Sequence, residues 1–211
     1  RGTGTPVLQA EAARTVTVVE PNPTLAKTAA PTTVTAGQSV TYTLTATNGT
    51  PAGSRSPLYD TVVIDCVPNE LVITTPLPAG LSWPIPGDGA NGCPATARKL
   101  TWTLASPFLS GSGEGQRQAI SYAVTVPSPV AAGQTFRNDA ALSGSSMPGT
   151  VPDERTYTAT ANRTITVQPA TITKAVNSPI VVPGQSVTWT ATASIPANVT
   201  LYNAAITDLL N

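Results

Sequence analysis

The feature that most constrains the fold is a strict alternation of apolar and polar side chains over short segments. In residues 39–48, apolar Val40, Tyr42, Leu44 and Ala46 alternate with threonines. A period of two residues places the apolar side chains on one face of a strand and the threonines on the other. Long helical periodicities are missing, and 21 prolines and 16 glycines interrupt the segments. The pattern therefore predicts an all-β chain.

Seven segments are predicted to form the main strands. They are residues 24–30, 39–48, 58–67, 97–105, 117–127, 134–143 and 155–168, and shorter strands are expected near 71–74 and 81–84. Seven or more short strands over about 150 residues are typical of an immunoglobulin-like β-sandwich.

Two segments recur late in the chain. Residues 35–43 (TAGQSVTYT) reappear as 182–190 (VPGQSVTWT), and residues 58–65 reappear as 201–208. The offset from Lys27 to Lys174 is 147 residues (174 − 27 = 147), which is the size of a whole domain and too long for a solenoid unit. The chain is therefore predicted to contain sandwich repeats in tandem.

The repeat boundaries follow from this offset. Residues 1–20 are interpreted as the last strand of a preceding repeat, 21–168 as a complete repeat and 169–211 as the opening strands of a following, incomplete one. About forty residues do not close a sandwich. Either the sequence is a fragment of a longer array, or another chain completes the open piece.

Charge and composition exclude several classes of function. Eleven basic and eleven acidic residues balance, and only 10% of residues are charged. Such a chain offers nothing to attract nucleic acid or an anionic membrane, and no apolar run approaches the roughly 18 residues of a membrane span. Histidine is absent, which removes Ser-His-Asp and Cys-His catalysis and leaves two cysteines unable to complete a zinc site. We predict an extracellular protein without cofactor, metal or turnover activity.

A lysine occupies an apolar position in the first strand. Leu25, Lys27 and Ala29 share one face, and the second copy repeats the arrangement around Lys174, between Ile172 and Val176. A charge inside a sandwich is costly unless it is paired or consumed.

Two further polar residues are predicted to point into the same core. Alternation on 134–143 directs Asn138 inward and Asp139 outward. The register of 58–67 is ambiguous until the second copy is compared, where Asp208 shares a face with Tyr202, Ala204 and Ile206. Mapped back, Asp65 points inward and Asp60 outward.

These three side chains suggest a specific chemistry. In a dry pocket a neutral Lys27 amine is a nucleophile that can attack the carboxamide carbon of Asn138. A protonated Asp65 would hydrogen-bond the carboxamide oxygen and relay a proton to the departing ammonia. Two alternatives remain: an unreacted Lys27–Asp65 ion pair with Asn138 as bystander, and a Lys27 that extends to solvent from the strand end.

The motifs resemble a known family. The run from Lys27 through residues 37–48 (GQSVTYTLTATN), followed by Asp65-Cys66-Val67-Pro68 and Asn138-Asp139-Ala140, is similar to the bacterial surface-protein repeats called "domain of unknown function eleven" and to isopeptide-forming fimbrial modules. The resemblance implies a Lys27–Asn138 isopeptide bond assisted by Asp65, in a cell-surface or fibre-forming protein. Lys174 and Asp208 are the second-copy equivalents, with the matching asparagine beyond Asn211.

Cys66 and Cys93 are expected to form one disulfide in a secreted chain of this character, and the alternative is two unrelated thiols.

The sequence thus favours a structural stalk or fibre module of a bacterial surface or secreted protein, whose partners are adjacent repeats of the same protein. One alternative is an adhesin domain whose loops 76–96 or 106–116 bind a host or glycan ligand. Another is a filament subunit completed by strands from like chains.

Overall fold

A computed structural model describes residues 13–90, 92–111 and 117–208 of the 211-residue chain. These residues form strands and no helix, so none of them belongs to a helix that could cross a membrane. The strands are β1 (Pro23–Ala30), β2 (Thr33–Val34), β3 (Ser39–Asn48), β4 (Tyr59–Pro68), β5 (Val72–Ile73), β6 (Ile85–Pro86), β7 (Ala97–Thr103), β8 (Arg117–Thr125), β9 (Val130–Ala131), β10 (Thr135–Ser145), β11 (Thr156–Val167), β12 (Thr171–Val176), β13 (Trp189–Ser194) and β14 (Val199–Thr200).

Two sheets pack face to face as a β-sandwich. The first has the order β1-β3-β8-β5, and the second has the order β2-β11-β10-β4-β7-β6. Long neighbours such as β3 and β8, or β10 and β11, pair antiparallel, whereas β2 pairs in parallel with β11 through two residues. Strands β1 and β11, which belong to different sheets, contact each other along one side of the sandwich.

The predicted all-β sandwich is confirmed, and each of the seven predicted strands coincides with an observed one to within two residues. Alternation explains why, since the apolar face of β3 is buried at Val40, Tyr42, Leu44 and Ala46. These side chains meet the inner face of the second sheet, including Val63 of β4, in a single apolar core.

The ends of the chain differ from this regular pattern. Residues 13–20 form no strand, and residues 1–12 lie outside the described part of the chain. Strands β12 and β13 pair antiparallel, with every residue of β13 exposed, and β14 pairs in parallel with β9. Residues 201–208, predicted as a strand by repetition, form none. The division into 1–20, 21–168 and 169–211 stays a prediction.

Candidate functional site

The three predicted polar residues lie inside the sandwich. Lys27 on β1 belongs to the first sheet, whereas Asp65 on β4 and Asn138 on β10 belong to the second. Their exposed fractions are 7%, 1% and 0%. Each occupies a strand position whose neighbours two residues away are apolar, so the alternation that builds the core also buries the polar group.

The register of the second sheet brings Asp65 and Asn138 together. Asp65 lies directly opposite Ala140, and Asn138 is two residues before Ala140 on the same face of β10. Diagonal neighbours of this kind are within reach of each other's side chains.

A fourth residue, Tyr122 of β8, joins the group. Lys27 Nζ donates a hydrogen bond to Asp65 Oδ1. Tyr122 Oη donates to Asp65 Oδ2 at 2.7 Å, and Asn138 Nδ2 donates to Tyr122 Oη at 2.8 Å. We call Lys27, Asp65, Tyr122 and Asn138 the buried quartet. Its hydrogen bonds form one continuous chain from the amine to the carboxamide.

Burial changes the protonation equilibria of the quartet. Loss of water lowers the pKa of the Lys27 ammonium, while the nearby Asp65 carboxylate opposes that change. The same desolvation raises the pKa of Asp65, against the effect of Lys27. The two pKa values therefore move towards each other, and transfer of the proton from Lys27 to Asp65 becomes easier than in water. Burial also raises the pKa of Tyr122 well above its ordinary value, so its hydroxyl stays protonated.

Two polar atoms of the site make no hydrogen bond within the described residues. They are the Asn138 carboxamide oxygen and the Tyr42 hydroxyl. We expected Asp65 to hydrogen-bond the Asn138 carboxamide oxygen. In the structure the two carboxylate oxygens of Asp65 instead accept hydrogen bonds from Lys27 and Tyr122. Asn138 is thus held through its nitrogen. Its carboxamide also acts on Tyr42, where it opposes the rise in the pKa of the hydroxyl that burial and Asp65 cause.

Aromatic rings form the wall around the amine. Lys27 Nζ lies 5.1 Å from the centroid of the Tyr42 ring, a cation–π distance. The Tyr42 and Tyr122 rings are paired across β3 and β8 with centroids 5.7 Å apart. Sequence reasoning missed both tyrosines as members of the site. The available signal was that a buried tyrosine hydroxyl usually finds a polar partner.

The outward residues behave differently. Asp139 is exposed and pairs with Arg137 on its own strand, and Asp60 accepts a hydrogen bond from the Gly149 amide. Neither side chain enters the core, so both lie apart from Lys27, as the alternation of side chains predicted.

The second copy holds the same ion pair in a wetter setting. Lys174 Nζ donates to Asp208 Oδ1, and the two side chains are 35% and 43% exposed. Lys174 Nζ lies 4.6 Å from the Trp189 ring, the counterpart of Tyr42 in the repeat.

Cys66 and Cys93 form the predicted disulfide, which ties β4 to the segment before β7. In the described part of the chain, no group of three His, Cys, Asp or Glu side chains is arranged to hold a metal ion.

Comparison with known proteins identifies no family for this chain. No protein-family model and no curated protein sequence match it. Solved structures with a similar fold include three bacterial pilins. The T6 backbone pilin of Streptococcus pyogenes is 13% identical over 73% of this chain and 37% of its own, with a TM-score of 0.42. The major pilin BcpA of Bacillus cereus is 12% identical over 83% of this chain and 56% of its own, also at 0.42.

The major pilin SpaD of Corynebacterium diphtheriae is 13% identical over 81% of this chain and 48% of its own, with a TM-score of 0.42. The chain therefore matches about half of the length of these pilins or less. At TM-scores below 0.5, the likeness assigns neither a family nor an activity.

Proposed function

We propose that this chain is a structural module of a stalk or fibre on a bacterial surface or in a secreted protein. Its sandwich is strengthened by an isopeptide bond between Lys27 and Asn138 and by the Cys66–Cys93 disulfide. The sequence motifs similar to "domain of unknown function eleven" repeats support the surface location. The bond forms once in each molecule, so the module has no turnover activity.

One observation carries the proposal: an amine, a carboxyl group and a carboxamide share a dry core in one hydrogen-bonded chain. Lys27, Asp65 and Asn138 are each less than a tenth exposed. A buried ion pair alone is weak evidence for stability, because hydrophobic residues of similar volume often serve as well. A buried pair held next to an amide with an unpaired oxygen supports a reactive role instead.

The reaction balances with the groups present. Lys27 passes one proton to Asp65, and the neutral Nζ attacks Asn138 Cγ to form a C–N bond. The Cγ–Nδ2 bond breaks, and Nδ2 leaves as ammonia after it takes up a proton. The new amide nitrogen returns a proton to Asp65, which ends neutral. Fixed geometry replaces an encounter in solution, and well-oriented proximity of this kind can lower a barrier by about 7–11 kcal/mol.

The position of the bond suits a load-bearing module. Lys27 lies on the first long strand, and Asn138 lies on the last but one of the complete repeat, in the opposite sheet. A covalent link between them ties the two sheets close to where the chain enters and leaves. Tension along an array would then pass through the crosslink and bypass most of the strands between.

Intact mass under reducing conditions tests the proposal. The parent chain is expected to be lighter than its sequence mass by one ammonia. Lys27→Ala and Asp65→Ala are expected to restore the full mass, because each removes a reacting group. Lys174→Ala is the matched control, since it removes the lysine of the exposed pair and should leave the deficit intact. Full mass in the parent chain would refute the isopeptide.

A second candidate function is self-assembly into filaments. The observation that favours it is the exposed apolar surface of residues 171–206, where Ile172, Trp189 and Ile206 are each about half exposed. Ala193 and Leu201 line a groove of about 530 Å³ beside these residues. Exposed apolar surface of this kind is typical of a binding interface, and another copy of the chain is one molecule that could bury it. Sedimentation of the 211-residue chain over a wide range of concentration tests it, and a monomer throughout excludes it.

A further inference from the structure

Tyr122 is the member of the quartet that the chemistry above leaves without a role. It lies on β8 at 3% exposure, and its hydroxyl is the single bridge in the described residues between the Asp65 carboxylate and the Asn138 carboxamide. Its two hydrogen bonds, 2.7 and 2.8 Å, are short enough for proton transfer on either side. Before the reaction Tyr122 donates to Asp65 and accepts from Asn138, and both hydrogen bonds can reverse once Asp65 is protonated and Nδ2 carries a free electron pair.

We propose that Tyr122 is a catalytic residue of the crosslinking reaction, which carries the proton from Asp65 to the departing nitrogen of Asn138. This inference rests on the proposed function.

The geometry requires such an intermediary. Lys27 occupies Oδ1 of Asp65, and Tyr122 occupies Oδ2. Within the described residues Asp65 makes no hydrogen bond to Asn138, so a proton accepted from Lys27 has no direct path to Nδ2. The hydroxyl of Tyr122 touches both ends of that path. The oxygen of Tyr122 can stay in place during the transfer, and its hydroxyl hydrogen has to turn from Asp65 to Nδ2.

The relay balances in protons and electrons. Lys27 gives a proton to the Asp65 carboxyl group, and its free electron pair forms the bond to Asn138 Cγ, so that Nδ2 of the tetrahedral intermediate gains a free electron pair. The Asp65 carboxyl group, released from the ion pair, turns its O–H towards Tyr122. The Tyr122 hydroxyl gives its proton to Nδ2 and receives the one held by Asp65. The Cγ–Nδ2 electron pair leaves with ammonia, and Tyr122 ends in its starting state. The new amide nitrogen finally returns a proton to Asp65.

Tyr157 provides an internal comparison. It is a half-buried tyrosine on β11 whose hydroxyl donates a hydrogen bond to Glu20, outside the quartet. Removing this hydroxyl costs the fold a tyrosine hydrogen bond without breaking the bridge between Asp65 and Asn138. The two tyrosines are a matched pair for an experiment.

The test measures the rate of ammonia loss. The 211-residue chain is made in a cell-free reaction, quenched in acid at timed intervals and weighed intact under reducing conditions, with protease resistance recorded at each time as a measure of folding. We expect Tyr122→Phe to fold but to lose ammonia at least about 100-fold more slowly than the parent, within the range for loss of general acid catalysis. Tyr157→Phe is expected to match the parent.

Three results would overturn the relay, and they differ from one another. Ammonia loss at the parent rate in folded Tyr122→Phe would remove the role of Tyr122 and leave the crosslink standing. An equal slowing in Tyr157→Phe would assign the effect to a general loss of a tyrosine hydrogen bond. Absence of ammonia loss in the parent itself would refute the proposed function and the relay with it.

A second variant covers the case in which Tyr122→Phe does not fold. Fluorotyrosine placed at position 122 alone keeps the ring and both hydrogen bonds but carries a more acidic hydroxyl. A proton relay predicts a several-fold change in the rate of ammonia loss, and the same replacement at position 157 is expected to cause none. An unchanged rate at position 122 would leave Tyr122 a purely structural role.

Discussion

Replacing Asn138 by leucine should remove the crosslink while it preserves the shape of the core. Residues 27 and 138 are 111 positions apart (138 − 27 = 111), and the disulfide already shortens this loop by 27. Closing the remaining loop restricts the unfolded chain by roughly 4.5 kcal/mol on the chain-entropy model. Asn138→Leu should lower the free energy of unfolding by about that amount.

The local cost of the substitution is small by comparison. Leucine loses the Asn138 Nδ2 hydrogen bond to Tyr122, worth about 1 kcal/mol. It also removes a buried carboxamide oxygen that has no partner in the described part of the chain, which offsets part of that loss. Tyr122 keeps its hydrogen bond to Asp65. The crosslink therefore dominates the difference.

Calorimetry of the 211-residue chain measures the effect. A loss of 4–5 kcal/mol corresponds to a fall in Tm of about 10–20 °C for a module of this size. Asp139→Ala is the control, because Asp139 is the exposed neighbour on the same strand and its ion pair with Arg137 is worth at most about 1 kcal/mol. If Asn138→Leu melts within about 3 °C of a parent that has lost ammonia, loop closure is not how the bond stabilises the fold.

Further predictions concern the remaining buried groups. Lys27→Met leaves Asp65 without its counter-ion in a core that raises the pKa of this carboxyl group. Because the pKa of Asp65 is then higher in the folded state than in the unfolded state, stability should fall as pH rises from about 4 to 8. A Tm that does not change with pH would contradict this. Joint replacement of Cys66 and Cys93 by serine should cost roughly 3.5 kcal/mol for the 27-residue loop, measured by urea unfolding; a cost below 1 kcal/mol would refute the loop estimate. Asn48→Ala should lower the free energy of unfolding by about 2–4 kcal/mol, measured by equilibrium unfolding, because Asn48 is fully buried and makes three hydrogen bonds to the backbone. A change below 0.5 kcal/mol would show that water replaces these hydrogen bonds.

The alternation of side chains predicted the strands and the direction of each side chain. It directed Lys27 and Asn138 inward because their strands show an unbroken period of two. For β4 one copy was not enough, and comparison with residues 201–208 selected Asp65 over Asp60. That comparison selected the correct face although residues 201–208 form no strand, because the alternation of apolar residues indicates which side chains are buried when the sheet is complete.

The meeting of Tyr122 with Asp65 and Asn138 was not predictable from periodicity. A period of two tells which face a side chain occupies, but the residue it meets depends on how one sheet is shifted and rotated over the other. That offset is set by packing across the whole core. Asn48 shows the same limit, since its three partners, Asn22, Ser56 and Phe108, all lie outside the strands.

The edges of the two sheets have a consequence for how copies associate. On one side the sheets end in β5 and β6, which are two residues each, and on the other side the long strands β1 and β11 contact each other. A strand from a neighbouring molecule would find few free backbone groups at β5 or β6 themselves. Strand β8, however, pairs with β5 through Val124 and Thr125 alone, so the remainder of its outer edge is the longer place where a strand from another molecule could add.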